Sequence, residues 1–138
     1  MLTSPLVRAL ETCRLAGLGE QADGREDVME WDYGAYEGRT TLEIRKEHPG
    51  WTLWDDGVPD GESASQVGAR VDRVIAELRA VAGDAAVFAH GHVLRVLAAR
   101  WLGLEAVAGR LFALDPATIS ILGYERETPV LRSWNQRP

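Results

Sequence analysis

Ala85-Ala86-Val87-Phe88-Ala89-His90-Gly91-His92-Val93-Leu94 is the stretch that decides the fold. Ala85 to Ala89 is a short, continuous apolar run, as expected of a strand covered on both faces. From Val93 the pattern changes: Val93, Leu94, Val96, Leu97, Trp101 and Leu102 recur at helical spacing until Gly103. The two elements meet directly at His90-Gly91-His92. A strand that runs straight into a helix is the building unit of an α/β domain with a parallel sheet. In such sheets ligands sit beyond the carboxyl ends of the strands. There the next helix aims free N–H groups and the positive end of its dipole at an anion.

Reading outward, Gly83-Asp84 turns the chain into this unit. Upstream, Ser63-Ala64-Ser65-Gln66 has the form of a capping box. Val67, Val71, Val74, Ile75, Leu78 and Val81 then form one apolar stripe, which predicts a helix over 64–82. Pro49, Gly50, Gly57, Pro59 and Gly61 mark 49–61 as a loop anchored by Trp51 and Trp54. Thr40 to Glu47 is a short helix stopped before Pro49. Residues 28–38 hold three aromatics, two glycines and several carboxylates, and read as an ordered functional loop. Ser4-Pro5 signals a helix start, with Leu6, Val7, Leu10, Cys13 and Gly17 at helical spacing behind it. Met1-Leu2-Thr3 resembles the last residues of a strand. Downstream, 111–114, 118–124 and 129–134 read as short strands, the last two able to form an edge hairpin. The expectation is one α/β domain over 1–138, with helices on both faces of a mainly parallel sheet.

The composition narrows the functions open to the chain. At 138 residues, 46% hydrophobic and 26% charged, it resembles an ordinary globular domain. A net charge of −6 argues against nucleic-acid binding, which needs a basic surface. No apolar run approaches the roughly 18 residues that span a bilayer, so no membrane partner is expected. The start lacks the pattern of a signal peptide. The single cysteine, Cys13, has no internal partner, and a reducing, cytoplasmic setting is the simplest expectation.

Several residues could carry chemistry. His90 could donate to a phosphate oxygen or shuttle a proton, or simply bond the backbone at the strand end. Gly91 lets a ligand approach closely. His90 and His92 also have the form of a His-x-His metal pair, which would need another ligand such as Glu30 or Asp32. Arg8 lies at the same sheet edge and could clamp a phosphate bidentately, or be a solvated helix arginine. Glu30, followed by Trp31, Asp32 and Tyr33, could act as a general acid; Glu37 is an equal candidate on local grounds. Asp55, Asp56, Asp60 and Glu62 lack the spacing of a calcium loop.

Four segments taken in order resemble the histidine phosphatase superfamily, the phosphoglycerate-mutase-like phosphatases. They are Thr3-Ser4-Pro5-Leu6-Val7-Arg8-Ala9-Leu10-Glu11-Thr12, Glu30-Trp31-Asp32-Tyr33-Gly34-Ala35-Tyr36-Glu37-Gly38, Gly61-Glu62-Ser63 and Ala89-His90-Gly91-His92. The resemblance implies a three-layer α/β/α fold with a mainly parallel sheet. It implies phosphomonoester hydrolysis through a phosphohistidine, without cofactor or metal, on a small phosphorylated metabolite or with inorganic phosphate as ligand. Glu30 looks like the proton donor, His90 like the second, phosphate-stabilising histidine, and Arg8 like a phosphate arginine, with Gly91 and His92 beside the substrate. The family's nucleophile lies in an Arg-His-Gly segment upstream of the Ser-Pro helix. Here the three histidines are His48, His90 and His92, none in that context. The resemblance therefore implies that the first strand, first helix and nucleophile are missing, with catalysis impaired or absent in this chain alone. It also implies an exposed sheet edge near Val87 and Phe88 that invites a second copy. The competing expectations are a non-catalytic phosphate- or partner-binding module, and phosphoryl transfer of the phosphoglycerate-mutase type.

Overall fold

A computed structural model describes residues 1–137, and the quoted junction is a strand-to-helix turn in it. Strand β1 is Leu2–Thr3, β2 is Asp23–Gly24 and β3 is Val87–Phe88. They form a parallel sheet in the order β2-β1-β3. Leu2 lies opposite Asp23 and Val87, and Thr3 opposite Gly24 and Phe88. Helix α1 (Val7–Leu15) follows β1 and α5 (Gly91–Trp101) follows β3, so two strand ends deliver two helices to one edge of the sheet. The predicted strand over 85–89 pairs regularly only at Val87 and Phe88, and both are half-buried. The reason is the partner: β1 is itself two residues long, and it is the only strand pairing with β3 among the described residues.

The core lies between α4 (Ala64–Ala80) and α5. Val67 and Val71 from α4 meet Val93, Val96, Leu97 and Trp101 from α5, closed at one side by Trp31. Burying one such side chain contributes about 1.5–3 kcal/mol. Helix α4 starts where predicted, because Ser63 and Gln66 cap each other reciprocally at 2.8 and 3.3 Å. A smaller cluster of Leu2, Val28 and Val74 seats β1 against the other face of α4. Helix α2 (Thr41–Glu47) has its own capping box between Thr40 and Glu43.

Three expectations are corrected, and one strand went unread. Ser4 does not occupy the cap position of α1; the helix begins at Val7, and Ser4 Oγ instead accepts the Leu6 N–H at 3.2 Å. The loop 49–61 contains a one-turn helix, α3 (Leu53–Asp56), started by Thr52 accepting from the Asp55 N–H at 3.0 Å. Strand β2 was hidden in sequence because Asp23 and Gly24 are polar and exposed. Residues 111–114 are not a strand: a 3-10 helix covers Ala106–Leu111, and the chain beyond it is irregular. Side chains hold that stretch where a backbone ladder was expected. Phe112 packs on Trp134, ring centroids 5.3 Å apart, and Asp115 N–H bonds Asn135 Oδ1 at 2.8 Å. The tail does form the hairpin, β4 (Ile119–Glu125) and β5 (Thr128–Gln136), as an antiparallel sheet separate from the parallel one.

Candidate active site

Arg8 and His90 are 82 residues apart in sequence and in direct contact. Arg8 Nε donates to His90 Nδ1 at 3.0 Å. A guanidinium can only donate, so Nδ1 is the acceptor and the neutral ring carries its proton on Nε2. That proton is directed at Ser4 Oγ, 2.8 Å away. Burial and then the Arg8 charge both push the His90 pKa below its ordinary value. All three residues follow strand ends, Ser4 and Arg8 after β1 and His90 after β3. Among the described residues the two Nη groups of Arg8 have no hydrogen-bond partner, and the residue is exposed. It presents free donors at the mouth of the site.

Glu30 reaches the same place from the loop. Its carboxylate accepts the N–H groups of Val93 at 3.0 Å and His92 at 3.2 Å, in the first turn of α5. It also accepts its neighbour's N–H, that of Trp31, at 3.0 Å. The helix end that favours anions therefore holds a carboxylate. Gly91 is exposed here, and a Cβ built on it would touch only a Glu30 oxygen.

His92 turns toward aromatic residues. Its Nδ1 is 2.6 Å from the Tyr33 hydroxyl. Trp54 and Trp31 stand edge-on to the ring, at 5.5 and 6.2 Å between centroids. Desolvation lowers the His92 pKa, and desolvation with the nearby Glu30 and Glu37 charges raises that of Tyr33.

The loop that carries these groups is held by one guanidinium. Arg70 donates to the backbone carbonyls of Asp27, Met29 and Glu30, and forms a two-pronged ion pair with Glu62 at 2.7 and 2.9 Å. Glu62 in turn accepts the Asp32 N–H, and its carbonyl accepts Trp31 Nε1–H. Gly34 has φ +45° and Gly61 faces it. Side chains at either would collide with the backbone of the opposing segment, so glycine is what lets segments 32–34 and 59–61 lie against each other.

All five residues singled out in sequence thus meet at one sheet edge: Arg8 with His90, and Glu30 with Gly91 and His92. Glu37 is exposed and takes no part in these hydrogen bonds. His90 and His92 do not form a chelating pair. Both ring nitrogens of His90 are engaged by Arg8 and Ser4, and His92 Nδ1 is engaged by Tyr33. Among the described residues no group of three histidine, cysteine, aspartate or glutamate side chains could hold a metal ion. Asp55 pairs with Arg110, and Glu62 with Arg70.

The profile of the histidine phosphatase superfamily (branch 1) matches residues 1–137. The chain belongs to that superfamily. An acid phosphatase from Mycobacterium tuberculosis is 41% identical over 91% of this chain. A sedoheptulose 1,7-bisphosphatase from Saccharomyces cerevisiae is 38% identical over 75%. The chain spans 62% of the first relative's length and 48% of the second's. The solved structure of a Mycobacterium tuberculosis open reading frame superposes with a TM-score of 0.92 at 38% identity, covering 99% of this chain and 71% of that one. A mycobacterial glucosyl-3-phosphoglycerate phosphatase in complex with inorganic phosphate superposes at 0.78 with 26% identity, covering 99% and 76%.

Sequence reasoning missed three members of this cluster. Ser4 was read only as a cap, although its place beside the strand end was the available signal. Tyr33 was noted only as a neighbour of Glu30. Arg70 left no local signal, because its partners are mainly backbone carbonyls on a distant loop.

Proposed function

We propose that this chain binds phosphomonoesters and contributes the phosphate-holding and proton-donating part of a histidine phosphatase site. The observation that carries the reading is the Arg8–His90 contact beside the first turn of α5. Arg8 supplies charge and two free Nη groups, His90 holds Arg8 Nε in place, and the N-terminal end of α5 adds its dipole. Together they suit the dispersed charge of a phosphoryl group. The match to phosphatases, one of them solved with inorganic phosphate, supports the same ligand.

In the covalent step a histidine nitrogen bonds to phosphorus while the ester oxygen leaves. Glu30 supplies the proton that the leaving oxygen needs, and takes one back from the water that later cleaves the phosphohistidine. No histidine of these 138 residues lies in an Arg-His-Gly segment. Using His90 as the nucleophile would remove it from its supporting position beside Arg8. The chain by itself is therefore expected to bind phosphate without forming a phosphoenzyme. Phosphatase is favoured over mutase chemistry because the relatives at 41% and 38% identity are phosphatases.

Calorimetric titration with inorganic phosphate tests this. Saturable binding is expected, weakened roughly 10- to 100-fold in Arg8→Ala, the scale of a charge-assisted hydrogen bond worth about 1.5–3 kcal/mol. Absence of saturable binding at millimolar phosphate overturns the reading and leaves a partner-binding module. A phosphohistidine on this chain after incubation with an aryl phosphate overturns the division of labour.

A further inference from the structure

The two site histidines are treated alike by their surroundings. Each has its Nδ1 occupied by a hydrogen-bonding group, Arg8 Nε–H for His90 and the Tyr33 hydroxyl for His92. The consequence differs on the other side of the ring. His90 Nε2 is engaged by Ser4. His92 Nε2 has no hydrogen-bond partner among the described residues. Resting on the phosphatase reading, we propose that Tyr33 is a positioning residue: its hydroxyl donates to His92 Nδ1 and fixes His92 as a neutral Nε2–H donor. That donor serves an uncharged oxygen on the organic group carrying the phosphate.

The direction of the Tyr33–His92 bond follows from the two groups: a phenol is a stronger acid than a neutral imidazole N–H, so the hydroxyl donates and Nδ1, 2.6 Å away, accepts. The surroundings also keep the imidazole uncharged. Trp31 and Trp54 wall it edge-on, and Tyr33 completes the enclosure. The charged groups that act on it are Glu30, which favours the proton, and Arg95, which opposes it. Arg95 is already engaged: it donates to the Gly109 and Arg110 carbonyls and lies over the Trp54 ring at 4.7 Å. Beside the Glu30 carboxylate, this cluster therefore offers aromatic surface and one neutral N–H. That chemistry suits a hydroxyl-bearing carbon chain.

Tyr33 itself is held firmly. The backbone on both sides of it is tied to the facing loop through Ala35 N–H to the Pro59 carbonyl at 2.9 Å and Glu62 N–H to the Asp32 carbonyl at 3.0 Å. A rigid phenol fixes the ring it touches more effectively than a mobile one.

Long-range proton–nitrogen spectra of protein labelled with nitrogen-15 histidine read the tautomer without any variant. The Nε2–H form is expected at His92 in the wild type; the Nδ1–H form overturns the proposal. In Tyr33→Phe a mixture of tautomers and a rise in the His92 titration midpoint are expected, and an unchanged His92 signal overturns it. Binding supplies the second readout, with inorganic phosphate and glycerol 1-phosphate as probes. Tyr33→Phe should weaken glycerol 1-phosphate several-fold and leave inorganic phosphate unchanged. Equal weakening of both, or of neither, overturns the role assigned to His92. If inorganic phosphate fails to bind the wild type, the phosphatase reading fails, while the tautomer spectrum still decides the role of Tyr33.

Discussion

Helices α4 and α1 carry apolar residues at the same helical spacing and end in different surroundings. The stripe of α4 is covered: Val67, Val71, Val74 and Ile75 are buried against α5, β1 and the loop carrying Trp31. That of α1 is split. Ala9 and Cys13 are buried, while Val7 is 80% exposed and Leu15 72%. The helix with the stronger core contacts carries Arg70, which shapes the site from behind. The helix with the weaker ones carries Arg8, whose contact is with His90. The two helices thus reach the same cluster from differently packed positions, and only one of them is firmly packed.

The largest effect should come from breaking the packed side. Trp101 ends α5, stacks on Tyr124 at 5.2 Å and donates from Nε1 to the Gly123 carbonyl at 3.2 Å, tying the hairpin to the core. Trp101→Ala should lower stability by about 3–5 kcal/mol in urea unfolding. A loss under about 1 kcal/mol would show that the hairpin is not coupled to α5.

A smaller effect should come from acid, through the Arg8–His90 contact. The folded-state pKa of His90 lies below its ordinary value, so the unfolded chain takes up a proton first as pH falls. The stability it contributes is complete above about pH 6.5 and declines below that, with a slope of at most about 1.4 kcal/mol per pH unit. Arg8→Ala removes one cause of the depression and should flatten this acid-side slope, measured by unfolding between pH 5 and 8. An unchanged slope would separate the two residues electrostatically.

The smallest effect belongs to the exposed face of α1. Val7→Ser should change stability by no more than about 0.5 kcal/mol. A loss above about 1 kcal/mol would mean that another chain covers this face in solution.

The same pair of helices shows what could be read in advance. Spacing marks which side of a helix is apolar, and Ser63 with Gln66 marks where α4 begins, because both signals are local. Whether another element covers the stripe is decided by partners far along the chain, so the exposure of Val7 could not be read. The strand–His90–helix junction was legible for the same local reason. The contacts of Arg8 with His90 and of Arg70 with the loop carbonyls were not, since they span 82 and about 40 residues. The hairpin was legible from alternation and turn residues, whereas 111–114 mimicked a strand because Phe112 and Leu114 alternate without a partner to form a ladder.

Arg70 grips the 27–30 segment by main-chain oxygens, and those are present whatever side chains the segment bears. The loop can therefore change its outward side chains without losing the hold that fixes its path. Glu30 keeps its address while its neighbours are exchanged. A loop built in this way can take single substitutions on its outer face while the placement of the Glu30 carboxylate holds.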